Sequence, residues 1–166
     1  YGRFSKDIAY ESQVFLRGTQ FTAFTICMQT HGKVRRSYQF AEQDPSYLYV
    51  TEIYRAYTKL HEHLTPYITE LSEIASTTGM PVMRHLVLGW QNDKNVYNVE
   101  DEYTFGDAFL IAPILTENNV RKIYLPKGEW LDLNTGEEYT VDANGLWLED
   151  YEATIAELPT FYNKNT

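Results

Sequence analysis

The chain has 166 residues, of which 43% are hydrophobic and 15% aromatic, and it carries a net charge of −9. That length suits one ordinary domain or two small pieces of a larger one, and the apolar content builds a packed core rather than a disordered chain. The acidic balance argues against non-specific nucleic-acid binding, because no basic surface is available to displace counterions from phosphates.

The basic cluster Lys33, Arg35 and Arg36 is too short to reverse that balance and reads as a solvated or locally ion-paired loop. The longest apolar stretch falls far short of the roughly 18 residues a membrane span needs. No N-terminal basic-plus-apolar signal segment is visible. The sequence opens on Tyr1 rather than Met, which predicts processing or excision from a longer polypeptide. Cys27 is the single cysteine; it admits no intrachain disulfide, lies inside an apolar run, and is expected to be buried and inert.

In chain order, residues 11–24 place Val14, Phe15, Gly18, Phe21 and Phe24 at three- and four-residue spacing, the pattern of a one-sided helix packed on something larger. In the next stretch Phe24, Ile26 and Met28 alternate with Thr25, Cys27 and Gln29. That period predicts a short strand ending at His31-Gly32, where glycine permits a sharp turn. A loop is expected next, and then Asp44-Pro45-Ser46 signals a helix start. From there Ile53, Tyr57, Leu60, Leu64, Ile68, Leu71 and Ala75 follow helical spacing. A break or kink is predicted at Pro66 and a stop at Thr78-Gly79.

After Pro81 the pattern becomes extended. PVMRHLVLGW and AFLIAPIL are apolar and rich in β-formers. VRKIYLP leads through Pro126-Lys127-Gly128 to EWLDL, Asn134-Thr135-Gly136 turns towards EEYTV, and Asn144-Gly145 reads as a second hairpin signal before LWLEDY and ATIAELPTF. Short strands at this spacing predict an antiparallel β domain, with a boundary between Trp90 and Tyr103. One strand with a few helices cannot close a parallel sheet, which needs neighbouring strands and cover on both faces. The first half therefore reads as missing its partners.

Taken together, these segments resemble glycoside hydrolase family 31, the retaining α-glucosidases and α-xylosidases. The resemblance rests on FLRGTQFTAFTICMQTHG (Phe15 to Gly32), LTPYITEL (Leu64 to Leu71), GMPVMRHL, VEDEYTFGDAFLIAPIL (Val99 to Leu115), YLPKGEW (Tyr124 to Trp130) and LPTF (Leu158 to Phe161), in the family's order along nearly the whole chain. Two departures are Gln29, where the family often has Arg, and Arg84-His85-Leu86, where it commonly has Arg-Pro-Leu. The resemblance implies an α/β plus all-β layout. Residues 1–94 would be the last strand and helices of a catalytic (β/α)8 barrel, and residues 95–166 an antiparallel β-sandwich-like domain, the whole incomplete at both ends.

A retaining glycosidase needs two carboxyl groups about 5–5.5 Å apart. In the resembled family both lie on earlier barrel strands, so neither is expected in this chain, and the chain alone is expected to be inactive. Glu100-Asp101-Glu102, Glu137-Glu138 and Glu149-Asp150 are expected to be solvated, since strand neighbours point to opposite faces. Asp107 is expected to be a structural residue of a turn. The candidate substrate-binding residue is His31, at the C-terminal end of a barrel strand, where such active sites lie; the family's matching His contacts the sugar. His61 and His63 lie two apart on a helix and do not share a face. His85 lacks the ligand spacing of a zinc site. No metal and no cofactor are therefore expected, and Trp90 is assigned to the domain junction. The expected partners are an oligosaccharide or α-glycoside substrate and the remainder of the barrel. A glucosyl-transferring enzyme of the same family and a non-catalytic sugar-binding or structural module remain open as alternatives.

Overall fold

A computed structural model of the chain describes residues 7–30 and 35–166. The chain divides into two compact units, Tyr1–Thr69 and Glu70–Thr166, with the division inside a helix.

In the first unit, α1 (Ile8–Ala23) is opened by Asp7, whose Oδ1 accepts the backbone N–H groups of Ala9 at 2.9 Å and Tyr10 at 3.3 Å. This satisfies donors that an uncapped helix start would leave orphaned. Its buried stripe includes Phe15, Leu16, Thr19, Gln20 and Ala23; of the residues expected on that face, Phe15 and Phe24 are buried, while Val14, Gly18 and Phe21 are half-buried. The Phe15 ring sits 5.5 Å from those of both Phe40 and Tyr54, which brings α1 onto α2 (Ser37–Gln43) and α3 (Leu48–His63). The α2 segment reads as loop in the sequence, because a two-turn helix with Phe40 as its buried residue shows no apolar period. Asp44 then accepts the Ser46 N–H at 2.9 Å and starts a 3-10 turn over Pro45–Tyr47.

The long helical pattern is divided as predicted, slightly earlier than Pro66. Helix α3 ends at His63, and α4 (Thr65–Thr78) places Pro66 as its second residue, where a missing N–H costs nothing. Gly79, at φ 79°, follows the last turn, a backbone setting that glycine adopts without a Cβ penalty.

Two expectations for this unit are corrected. Residues 25–30 form no strand among the described residues; Thr25 instead folds back, its Oγ1 donating to the carbonyls of Thr22 and Cys27 at 2.8 and 3.0 Å. Cys27 is exposed rather than buried, and Ile26 is 57% exposed, because no strand among the described residues pairs with this stretch.

The second unit holds the antiparallel β structure expected of the later half. Its strands are β1 (Met83–Arg84), β2 (Tyr103–Phe105), β3 (Phe109–Ile111), β4 (Val120–Leu125), β5 (Gly128–Asp132), β6 (Glu138–Val141), β7 (Leu146–Glu152) and β8 (Thr160–Asn163). One six-stranded sheet runs β1-β2-β3-β8-β5-β6, and β4 pairs with β7 in a second sheet. The larger sheet thus takes its first strand from upstream of residue 95. Leu110, Ile123, Tyr124, Leu125, Trp130 and Phe161, drawn from both sheets, form the buried centre.

The turns explain why several short motifs read as they do. In YLPKGEW, the Trp130 indole N–H donates to the Pro126 carbonyl at 2.8 Å, and a Cβ at Gly128 would lie 3.1 Å from that same nitrogen. Glycine there lets the chain pass the indole. In TFGD, Gly106 at φ 62° makes the β2–β3 turn, and its N–H donates to the Val82 carbonyl at 2.9 Å. Asn134-Thr135-Gly136 joins the paired strands β5 and β6. Asn144-Gly145 is no hairpin, since β6 pairs with β5 and β7 with β4; it carries the chain from one sheet to the other. Asn-Gly reports a positive φ, here 73° at Gly145, and not which strands pair.

Two glycine replacements separate backbone from packing. At Gly136 (φ 77°) a new Cβ meets nothing within 4 Å, whereas at Gly145 it would lie 1.8 Å from the Tyr124 hydroxyl. Gly136→Ala is expected to cost roughly 1–2 kcal/mol for the left-handed backbone alone. Gly145→Ala should cost distinctly more. Urea denaturation of both variants measures the difference; equal losses would show that the Tyr124 hydroxyl yields freely.

Candidate functional site

His31 lies outside the described residues. What the structure gives is its setting. On the N-terminal side Thr30 accepts a hydrogen bond from Arg36 Nη1 at 2.9 Å. On the C-terminal side Arg35 Nε lies 3.2 Å from Oε2 of Glu11, a carboxyl that α1 holds at 5% exposure. Arg35 also donates to Gln43 of α2 and lies over the Phe40 ring at 5.6 Å. The basic cluster therefore includes a partly buried ion pair, the local pairing expected of it.

A pair of carboxyls is what the resembled chemistry uses. Glu137, Glu138, Glu149 and Asp150 are exposed as expected, with Glu138 paired to Lys164 at 2.7 Å and Glu149 to Lys122 at 2.8 Å. Glu102 is the correction. It is 4% exposed, and its Oε1 accepts the Tyr124 backbone N–H at 2.8 Å. Asp101 and Glu102 converge on one nitrogen, Arg121 Nη2, at 3.0 and 3.4 Å. They can do so because both precede β2, so the alternation of strand side chains does not separate them. Burial raises the Glu102 carboxyl to about 8, against the lowering effect of the Tyr124 N–H and Arg121, while Asp101 adds to the rise. A guanidinium fills the gap between these two carboxyls and the Glu102 side chain is 1% exposed, so no glycosidic bond can be placed between them.

Other polar side chains of this unit hold the chain in place. Arg84, buried at 7%, donates through Nε to the Pro81 carbonyl at 2.8 Å and through Nη1 to Asp107. One ion pair thus joins the GMPVMRHL and TFGD motifs, and Asp107 is the structural residue the sequence suggested. Asp132 is fully buried. Its Oδ1 accepts the Asn134 N–H at 2.8 Å and its Oδ2 the Tyr151 hydroxyl at 2.8 Å. The Trp90 indole N–H donates to the Lys127 carbonyl at 2.9 Å, with its ring 5.9 Å from Trp130.

Two of the described histidines, His61 and His85, serve the backbone, and His63 is exposed. A ring nitrogen of His61 lies 2.9 Å from the Ala23 carbonyl, and His85 Nδ1 accepts the Val87 N–H at 3.0 Å. Among the described residues no three His, Cys, Asp or Glu side chains are grouped to hold a metal ion. Nor is any described helix long and apolar enough to cross a membrane. Sequence reasoning missed Glu102 and Asp132. For Asp132 a signal existed, since Asp-x-Asn-Thr-Gly is turn chemistry. For Glu102 none did, because an acid inside an acidic run reads as surface.

A profile of the Glycosyl hydrolase family 31 C-terminal domain matches residues 79–166, more than half of the chain. Among curated proteins, the isomaltosyltransferase of Sporosarcina globispora is 31% identical over 159 residues, covering 90% of this chain and 14% of its own length. The sulfoquinovosidase of Agrobacterium fabrum is 34% identical over 158 residues, covering 93% of this chain and 23% of its own. The chain thus spans a minor part of these relatives. Among solved structures, a mutant GH31 dextranase of Flavobacterium johnsoniae, complexed with isomaltotriose, superposes with a TM-score of 0.83 at 27% identity, covering 97% of this chain and 19% of the dextranase. The GH31 α-xylosidase of Xanthomonas citri gives 0.81 at 30% identity, over 96% of this chain and 17% of that one. The motif order, the antiparallel fold of residues 79–166 and these matches agree: the chain belongs to glycoside hydrolase family 31.

Proposed function

We propose that this chain is the C-terminal part of a retaining enzyme acting on α-glucosides or α-xylosides, in which it completes a (β/α)8 barrel and presents His31 to the sugar. The observation that carries the reading is the extent of the matches. They cover nine-tenths or more of this chain but only 14% and 23% of two curated relatives. The apolar helical stripe supports it as well. Ile53, Tyr57, Leu60, Leu64 and Ile68 are only half-buried, as befits a face made to be covered by further polypeptide. The nucleophile and the acid/base lie on other strands of the enzyme. In this reading the β domain buttresses the barrel, and a His31 ring nitrogen hydrogen-bonds a sugar hydroxyl.

The similarity to an isomaltosyltransferase favours one second reading, transfer of a glycosyl unit to a sugar acceptor. Both reactions pass through the same covalent glycosyl-enzyme and differ in whether water or a sugar hydroxyl attacks it.

Purified 1–166 should show no turnover of an aryl α-glucoside or an aryl α-xyloside above background; clear turnover would place the reactive acids inside this chain. In the enzyme that carries this segment, His31→Ala should lower kcat/KM by roughly 10- to 100-fold, the loss of one hydrogen bond worth about 1.5–3 kcal/mol, with the thermal midpoint unchanged. Unaltered kcat/KM would remove His31 from the sugar site. Product analysis with added acceptor sugar separates hydrolysis from transfer.

A further inference from the structure

Glu102 is the one acid among the described residues that is buried with a carboxyl oxygen left unpartnered, Oε2. Its other oxygen accepts the Tyr124 N–H at 2.8 Å and lies 3.4 Å from Arg121 Nη2. That guanidinium is already engaged. Its Nη2 is 3.0 Å from Asp101 Oδ2, its Nη1 donates to the carbonyls of Asp101 at 3.1 Å and Pro113 at 2.5 Å, and its Nε donates to the Lys122 carbonyl at 3.0 Å. One cation therefore faces two carboxyl groups, and Asp101, 55% exposed, holds it at the shorter distance. Among the described residues no second cation is paired with Glu102. Lys122 is committed to Glu149 at 2.8 Å and to the Trp147 ring at 4.3 Å, while burial keeps the Tyr103 and Tyr124 phenols protonated. Ionising Glu102 while the single guanidinium is shared with Asp101 would leave buried negative charge incompletely compensated and out of reach of water, which is costly.

We propose that Glu102 is a proton-dependent latch: it carries its proton while β4 is seated on the residues leading into β2, and loss of that proton loosens the fastening. This goes beyond the family assignment and does not depend on which sugar the enzyme takes. The direction of the pH effect follows from burial raising this carboxyl from 4.5 to about 8. The folded value lies above that of the unfolded chain. The contribution of Glu102 to stability is therefore complete below pH 4.5 and is lost as the pH rises towards about 8. Within that window this one group lowers the folded-to-unfolded ratio by up to about tenfold per pH unit.

Carbon-13 NMR of the Glu102 carboxyl in the intact chain reads the latch directly. A titration midpoint near 8 is expected; a midpoint at or below the ordinary 4.5 overturns the proposal. Urea denaturation of the chain and of Glu102→Gln across the same range tests the consequence. The amide cannot ionise, so the variant should gain on the parent steadily with rising pH; a constant difference, or a parent that gains on the variant, overturns it. Asp101→Asn leaves Glu102 in place and frees Arg121 to pair with it, so the Glu102 midpoint should move to lower pH. An unmoved midpoint would show that the two acids do not share the cation.

Discussion

The Tyr124 hydroxyl occupies the space that a side chain at residue 145 would otherwise fill, and much of the β unit depends on that occupation. From there it donates to Asp93 and accepts from Asn95 at 3.1 Å, tying β4 to the 3-10 turn over Lys94–Asn98. Its backbone N–H is held by Glu102 at 2.8 Å, and its ring packs 4.7 Å from that of Trp147 on the partner strand. Burial and the neighbouring Asp93 push the phenol up to about 12, so it remains a donor throughout the physiological range. One residue therefore fixes the approach of four segments. A glycine is demanded opposite it by space as well as by backbone angle.

The same unit contains two buried acids with opposite fates. Asp132 ends β5, where the turn that follows supplies the Asn134 N–H to one oxygen and β7 supplies the Tyr151 hydroxyl to the other, at 2.8 Å each. Both of its oxygens are thereby partnered where they sit. Glu102 receives one backbone N–H and half of a cation's attention, and its second oxygen receives nothing. The contrast separates an acid used to shape a turn from one held by burial against its own charge.

Much of this was legible in the sequence where the signal was local. Asp44 and Gly79 mark helix ends through chemistry that acts over two to four residues, and the break ahead of Pro66 follows from the missing N–H. The YLPKGEW and TFGD motifs became intelligible as indole, carbonyl and glycine fitted together. The failures share one cause, which is that they depend on what lies across space. Asn144-Gly145 announces a backbone angle but not the strand that follows it. The apolar setting of Cys27 in sequence does not supply a covering layer. The burial of Glu102 is decided by β4, some twenty positions later. Of the candidate site, His31 was the one residue legible beforehand, and the structure describes the flanking bonds of Thr30, Arg35 and Arg36.

The division of polar labour bears on where the chemistry resides. A reactive carboxyl must be buried enough to be tuned and open enough to meet its substrate. In the described β unit these two conditions fall on different residues. Glu102 and Asp132 are buried and enclosed, whereas Glu137, Glu138, Glu149 and Asp150 are open, and two of these four are spent on surface lysines. Arg84 and Asp107 are spent on each other. A β unit whose described polar interior is committed to turns and strand seating uses its buried acids for structure and keeps its open ones at the surface.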